Sequence, residues 1–217
     1  NARLGRIYND LGFQELALRQ GWLALNTDPA NYSAHRLLSD SYHARPRHEI
    51  ARVSELLQAQ LLQSLNLMPV QPQLAQTNLL IPEASGTGTP SFYEFNPLYA
   101  RNQLSFQGTG IVGDNKTAGD EIALSTIYNR ISCSVGQFHY ETDGFRENND
   151  LDQDIYNVTI QSVMTPNLNF QAEYRNRNID HGDLALNWDL ENPNLFFRRH
   201  FESELFRVGG HLKPAVH

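Results

Sequence analysis

The residues with the clearest potential for chemistry are carboxylates in one acidic segment. Asp150, Asp152 and Asp154 alternate with other residues, and this spacing can present three carboxylates to a hard cation such as Ca²⁺. The segment lacks the glycine and the distal bidentate glutamate of an EF-hand loop. The pattern therefore leaves two alternatives, a calcium site and a solvated acidic loop, and it indicates no other cofactor.

No other set of residues has the spacing of a catalytic site. The eight histidines show no His-Glu-x-x-His pattern, no Gly-x-Ser-x-Gly elbow is present, and the glycines around Gly108 do not open a helix. Cys133 is the only cysteine, which excludes an intrachain disulfide, a thiolate zinc site and a Cys-x-x-Cys redox pair. We therefore expect that the protein is not an enzyme, and an enzyme is the less favoured class.

Charge and hydropathy exclude two further classes. The chain of 217 residues has a net charge of -7, and most of the acid excess lies after residue 100. Nucleic-acid binding is excluded because an acidic chain without a Lys/Arg stripe cannot neutralise phosphates. The mean hydropathy is -0.49, and the longest apolar runs fall far short of the ~20 residues of a membrane-spanning helix.

Residues 1–66 have the pattern of packed helices. Apolar residues recur at helical spacing, and small or turn-forming residues occupy the positions typical of a tetratricopeptide repeat: Gly5, Tyr8, Gly12, Ala17, Ala24 and Pro29. Leu38, Ser39, Tyr42 and Ala51 follow Leu4, Gly5, Tyr8 and Ala17 after one 34-residue period. A generic helical hairpin is the alternative. Stacked repeats present a concave surface, so we expect a protein partner here.

The remaining chain divides into a linker and a strand region. Residues 67–99 contain five prolines among polar residues, which predicts a linker. Residues 100–217 show a period of two, typical of β-strands. In the third predicted strand the apolar residues change phase at Gly136, which predicts a bulge there.

Short and long connections alternate along the strand region. Asn129-Arg130 and residues 165–167 are tight turns, whereas residues 142–153 form a long polar connection. Short turns at one end and long loops at the other are typical of outer-membrane β-barrels, and a soluble sandwich is the alternative. The barrel interpretation places Val158 and Ile160 towards lipid and Thr159 and Gln161 towards the interior.

Four segments distributed over most of the chain carry a family resemblance: residues 46–58 (PRHEIARVSELLQ), 69–74 (PVQPQL), 93–98 (YEFNPL) and 136–149 (GQFHYETDGFRENN). They resemble a bacterial family that joins periplasmic tetratricopeptide repeats to a C-terminal outer-membrane β-barrel, in large surface proteins of the TonB-receptor-like kind. The resemblance implies an outer-membrane location and no assigned substrate. Against the family pattern the chain starts inside the repeats and stops after about six strands, so we expect a fragment of a longer protein.

The expected fold class is α and β in separate segments. N-terminal tetratricopeptide-like helices precede the antiparallel sheet of an incomplete outer-membrane barrel. The predicted function is an outer-membrane protein whose periplasmic repeats bind a protein partner and whose strands form an anchor or passage in the lipid bilayer. The alternative is a soluble interaction scaffold with a β-sandwich. No cargo and no oligomeric state follow from the sequence.

Overall fold

In the part of the chain that the structure describes, four N-terminal helices are followed by one six-stranded sheet. This structure is a computed structural model that describes residues 2–43, 48–63, 65, 102–184 and 194–214. The predicted linker, residues 67–99, lies outside the described residues. Within these ranges, no helix is both long and apolar enough to cross a bilayer. The expectation of helices followed by an antiparallel sheet is confirmed.

The four helices form two consecutive hairpins. Each helix packs against the next, and the first also contacts the third. Their bounds are α1 Ala2–Asp10, α2 Gln14–Thr27, α3 Tyr32–His43 and α4 Glu49–Leu61. Gly12 has a φ of +82° in the turn between α1 and α2, a conformation that glycine adopts without steric cost.

Small residues bring the helices close together. Ala17 is completely buried. A Cβ atom at Gly5 would collide with Leu37, and one at Gly21 would lie 2.7 Å from Leu38 Cδ2. Gly5, a residue of the repeat pattern, therefore permits the close approach of α1 to α3, and Gly21, which is not part of that pattern, does the same for α2.

Two acid–base contacts lie within the hairpin of α3 and α4. His35 Nδ1 is 2.6 Å from Glu55 Oε2; burial lowers the pKa of His35, but its hydrogen bonds to Glu55 and to the Pro29 carbonyl raise it above the ordinary value overall. Burial raises the pKa of Asp40 to about 6, although Arg36 opposes the shift. Both groups therefore favour the protonated form in the folded protein.

The six strands form a single antiparallel meander in which each strand pairs with its neighbours in the chain. Their bounds are β1 Gln103–Val112, β2 Ala118–Tyr128, β3 Ile131–Thr142, β4 Leu151–Thr165, β5 Leu168–His181 and β6 Arg199–Leu212. The predicted tight turns at residues 129–130 and 166–167 are present. We call this end of the sheet the turn end, and the opposite end, which carries residues 143–150, the loop end.

One side of the sheet carries α4, and we call it the helix face; the other is the open face. Val53, Leu56 and Leu57 of α4 form a buried core with Phe138, Tyr140, Leu151, Ile155 and Ile179 of the strands. Two hydrogen bonds add to this packing: Gln161 Nε2 donates to the Gln60 carbonyl (3.2 Å) and Arg207 Nη2 to the Ile50 carbonyl (3.4 Å). Helix α4 thus connects the helical region to the sheet.

The predicted bulge at Gly136 is wrong. Strand β3 pairs without interruption with both neighbours across this position, and the only register shift of β4 with β5 lies between Val163 and Thr165. What changes at Gly136 is the face that is apolar. Val135 lies on the open face, whereas Phe138 and Tyr140 are buried on the helix face.

Replacing Ala17 by Phe should separate α2 from its neighbours, because the site is fully buried and overpacking a core costs about 1–3 kcal/mol. Urea unfolding followed by circular dichroism at 222 nm measures the loss. Leu16→Phe is the matched control, since Leu16 is exposed on the same helix. Equal effects of the two variants would contradict the packing described for Ala17.

Acidification should stabilise the helical region. The pKa of Asp40 is about 6 in the folded state, above its ordinary value of 3.8, so its stabilising effect is complete below the lower value and is lost as pH rises through 6. His35 acts in the same direction. Thermal unfolding at 222 nm should show a higher Tm at pH 5 than at pH 7. Asp40→Asn should reduce that difference; an unchanged difference would contradict the role of Asp40.

Candidate functional site

The open face at the turn end is a continuous apolar surface. One cross-strand row runs through all six strands in register: Phe106, Leu124, Val135, Val158, Tyr174 and Phe206. Each of these side chains is exposed by 42% to 70%. Together these side chains form a contiguous apolar patch. Large patches of this kind on protein surfaces mark sites of contact with lipid or with another protein.

The neighbouring row on the helix face is polar on every strand. It consists of Ser105, Ser125, Ser134, Thr159, Glu173 and Arg207. Four of its members, Ser125, Ser134, Thr159 and Glu173, are exposed by 6% or less. In this half of the sheet the polar residues are therefore buried and the apolar residues are exposed, which is the reverse of an ordinary water-soluble sheet.

The open face changes from apolar to polar at one level across strands β3 to β6. Beyond that level, the open face carries His139, Asp154, Asn178 and Glu202 in a single row. The helix face there contributes Phe138 and Ile155 to the buried core with α4. On β3 and β4 the loop end thus has the arrangement expected of a sheet in water, and the turn end has the opposite one. On β5 and β6 the helix face at the level of Ile155 still carries Arg177 and Ser203.

The apolar part of the open face has the length of a bilayer crossing. Along β4 the open face carries Tyr156, Val158 and Ile160, followed by the polar Ser162. With the exposed Met164, which lies at the register shift beside the turn, the segment spans nine residues, and a tilted transmembrane strand needs about 9–11. Tyr156 lies at the level where the pattern inverts, where aromatic side chains are common in membrane strands. Val158 and Ile160 are exposed on the open face, and Thr159 and Gln161 are buried on the helix face, in agreement with the predicted strand phase.

The structure distributes the three predicted metal-binding carboxylates between two environments. Asp152 and Asp154 lie on the open face at the loop end of β4. Asp150 precedes the strand, and its carboxylate accepts a hydrogen bond from Arg198 Nη1. The sequence did not indicate His139, which β3 places opposite Asp154. Its Nδ1 lies 2.8 Å from Asp154 Oδ1.

His139, Asp152 and Asp154 could hold a divalent cation. One ligand atom from each lies within 4.8 Å of the others. An imidazole with two carboxylates suits Zn²⁺ or Mn²⁺, whereas Ca²⁺ prefers an all-oxygen set. In the sequence, only the expected pairing of two neighbouring strands connects His139 with Asp154. To recognise that the two residues lie opposite each other requires the strand register, which no local pattern reveals.

The connection that follows β3 is shorter than its sequence suggested. Strand β3 continues to Thr142 and β4 starts at Leu151. Polar contacts anchor this loop to the start of the next connection: Asn149 Nδ2 donates to the Asp183 carbonyl (2.9 Å), and Arg146 Nη2 lies 3.4 Å from Asp183 Oδ2. The loop is thus a packed part of the loop end.

Comparisons with protein-family models, curated proteins and solved structures find no match to this chain.

Metal titration should separate the two carboxylate environments. We expect Zn²⁺ to bind more tightly than Ca²⁺, and Asp152→Asn and His139→Gln to weaken Zn²⁺ binding at least about tenfold, as loss of even a supporting residue does. Asp150→Asn should have little effect, because Arg198 already engages that carboxylate. Isothermal titration calorimetry on the full chain measures the affinities of the unsubstituted protein and of the three variants. A dominant effect of Asp150→Asn would contradict this ligand set.

Proposed function

We propose that this protein is an outer-membrane β-sheet protein. The turn-end half of its sheet faces lipid, and its tetratricopeptide-like helices bind a protein partner. The observation that carries the proposal is the change of the open face from apolar to polar at one level across four strands, together with the move of the apolar residues to the helix face on β3 and β4. Water on both faces gives no reason for such an inversion, whereas a boundary between a bilayer and water gives a direct one.

The direction of the sheet follows from its two ends. Tight turns occupy one end and the longer connections the other, and in bacterial outer-membrane barrels the short turns are periplasmic. The charged row with His139 and Asp154 would then lie above the outer edge of the apolar band. With the open face towards lipid, the polar helix face and α4 lie on the inner side of the sheet.

The proposal requires further strands. The sheet is open, and an unpaired edge cannot remain exposed to lipid because its backbone groups would lack hydrogen bonds. Closed bacterial barrels have at least eight strands, so strands from additional chain or from other subunits must pair with β1 and β6. Whether the completed sheet serves as an anchor or as a passage depends on that number.

The proposed partner site is on the helices. Two hairpins with small residues between their helices support a repeat scaffold. Several large apolar side chains on α1, on α2 and in the turn between them are exposed, and no described neighbour covers them: Ile7, Leu11, Phe13 and Trp22. Exposed aromatic and aliphatic groups of this kind are typical anchors of protein interfaces.

The lipid-facing assignment is tested by Ile160→Arg. This residue lies near the middle of the Tyr156–Met164 band, on the open face. An Arg at the bilayer midplane should lower the free energy of unfolding by about 2–4 kcal/mol, measured by urea titration in lipid vesicles. The matched control is Asn178→Arg, on the same face but beyond the level of inversion, where we expect about 0–1 kcal/mol.

Two outcomes would contradict the membrane proposal. One is an equal and small effect of both substitutions in vesicles. The other is a monodisperse, folded chain in buffer without detergent or lipid, since the apolar row from Phe106 to Phe206 would then have to be covered by protein. That result would favour a soluble interaction scaffold.

A further inference from the structure

A cleft of 420 Å³ lies between α4 and the last two strands, and no part of the function proposed above uses it. Its walls come from both segments of the protein. Helix α4 contributes Ser54, Leu57 and Leu61, and the strands contribute Gln171, Glu173 and residues 206–209. The volume is within the roughly 300–1,000 Å³ of small-molecule sites.

Three polar atoms of residues that line the cleft have no hydrogen-bond partner among the described residues. They are Gln171 Nε2, Glu173 Oε2 and Arg207 Nη1. Gln171 and Glu173 are exposed by only 5% and 2%. Arg207 Nη1 and Glu173 Oε2 form only a long ion pair with each other. A buried polar atom without a hydrogen bond is unfavourable, so a bound molecule that supplies hydrogen bonds to these atoms would be stabilised in the cleft.

The charges of the three residues define what could complete it. Glu173 Oε1 accepts hydrogen bonds from Arg175 at 2.8 and 3.0 Å. The second oxygen, Oε2, is 3.5 Å from Arg207 Nη1 and makes no hydrogen bond with it. The cleft thus offers one anionic acceptor beside two donors, of which one is cationic.

Apolar groups lie opposite these polar atoms. Leu57 and Leu61 of α4 line the same cleft, and Leu61 Cδ2 lies close to Gly209, 3.1 Å from where a Cβ atom would be. Because Gly209 has no side chain, the Leu61 methyl group is not displaced, and the cleft beside it stays open. The site therefore combines a charged end with an apolar wall.

We propose that this cleft binds a small zwitterion with an apolar tail, of which an apolar α-amino acid is the simplest example. The carboxylate accepts hydrogen bonds from Arg207 Nη1 and Gln171 Nε2, the ammonium group donates to Glu173 Oε2, and the side chain contacts Leu57 and Leu61. This assignment rests on the cleft alone and does not depend on the membrane proposal.

The test uses L-leucine and its two half-ligands, 4-methylpentanoate, which lacks the ammonium group, and 3-methylbutylamine, which lacks the carboxylate. Binding to the full chain in detergent is measured by ligand-observed NMR. Leucine should bind about tenfold or more tightly than either half-ligand, because each half-ligand lacks the charge-assisted hydrogen bonds of one of the two charged groups. Equal affinity of the three compounds, or no binding of leucine, would overturn the proposal.

Variants locate the binding. Arg207→Gln should weaken leucine and 4-methylpentanoate about tenfold and leave 3-methylbutylamine unchanged. Arg199→Gln, on the same strand outside the cleft, is the matched control and should change nothing. Ser54→Tyr fills the cleft from an exposed position on α4 without removing a buried charge, so it should abolish binding of all three compounds even if Arg207→Gln fails to fold. Leucine binding that survives Ser54→Tyr would place the site elsewhere and overturn the assignment.

Discussion

The continuous register of the sheet is the constraint on which the rest of the structure depends. From β2 to β4 the pairing is unbroken over the whole of β3, and consecutive side chains of a strand must point to opposite faces. A strand in this sheet cannot exchange its faces by slipping one residue. When the apolar residues of β3 move from odd to even positions, the surroundings of its two faces must therefore change. The open face becomes polar at the same level on β4, β5 and β6.

Helix α4 follows from the same constraint. At the loop end the helix face is apolar, and Val53, Leu56 and Leu57 cover it. Towards the turn end this face is polar, and contact is continued by hydrogen bonds such as that of Gln161 with the Gln60 carbonyl. Along α4 the contact with the sheet thus changes from apolar to polar. The cleft lined by Glu173 and Arg207 lies where α4 and the sheet pack incompletely.

Local signals in the sequence were sufficient for the elements but not for their pairing. The alternation of Val158 and Thr159 and the tight turn at residues 129–130 predicted strands and turns, because both depend on neighbours in the chain. The change of phase at Gly136 predicts a bulge when β3 is considered alone, because the sequence of one strand does not reveal which face of the neighbouring strands is apolar at the same level. His139 was missed as a companion of Asp154 for a similar reason: its position depends on the register of a hairpin.

The membrane account is tested most directly by the solvent accessibility of β4 in a bilayer. Cys133, the only cysteine, is replaced by Ser, and a nitroxide label is placed in turn at residues 152–163 of the protein in vesicles. The account predicts high collision rates with oxygen at positions 156, 158 and 160, low rates at 157, 159 and 161, and preferential access of a water-soluble nickel complex at 152 and 154. Access of the nickel complex to positions 158 and 160 would contradict it.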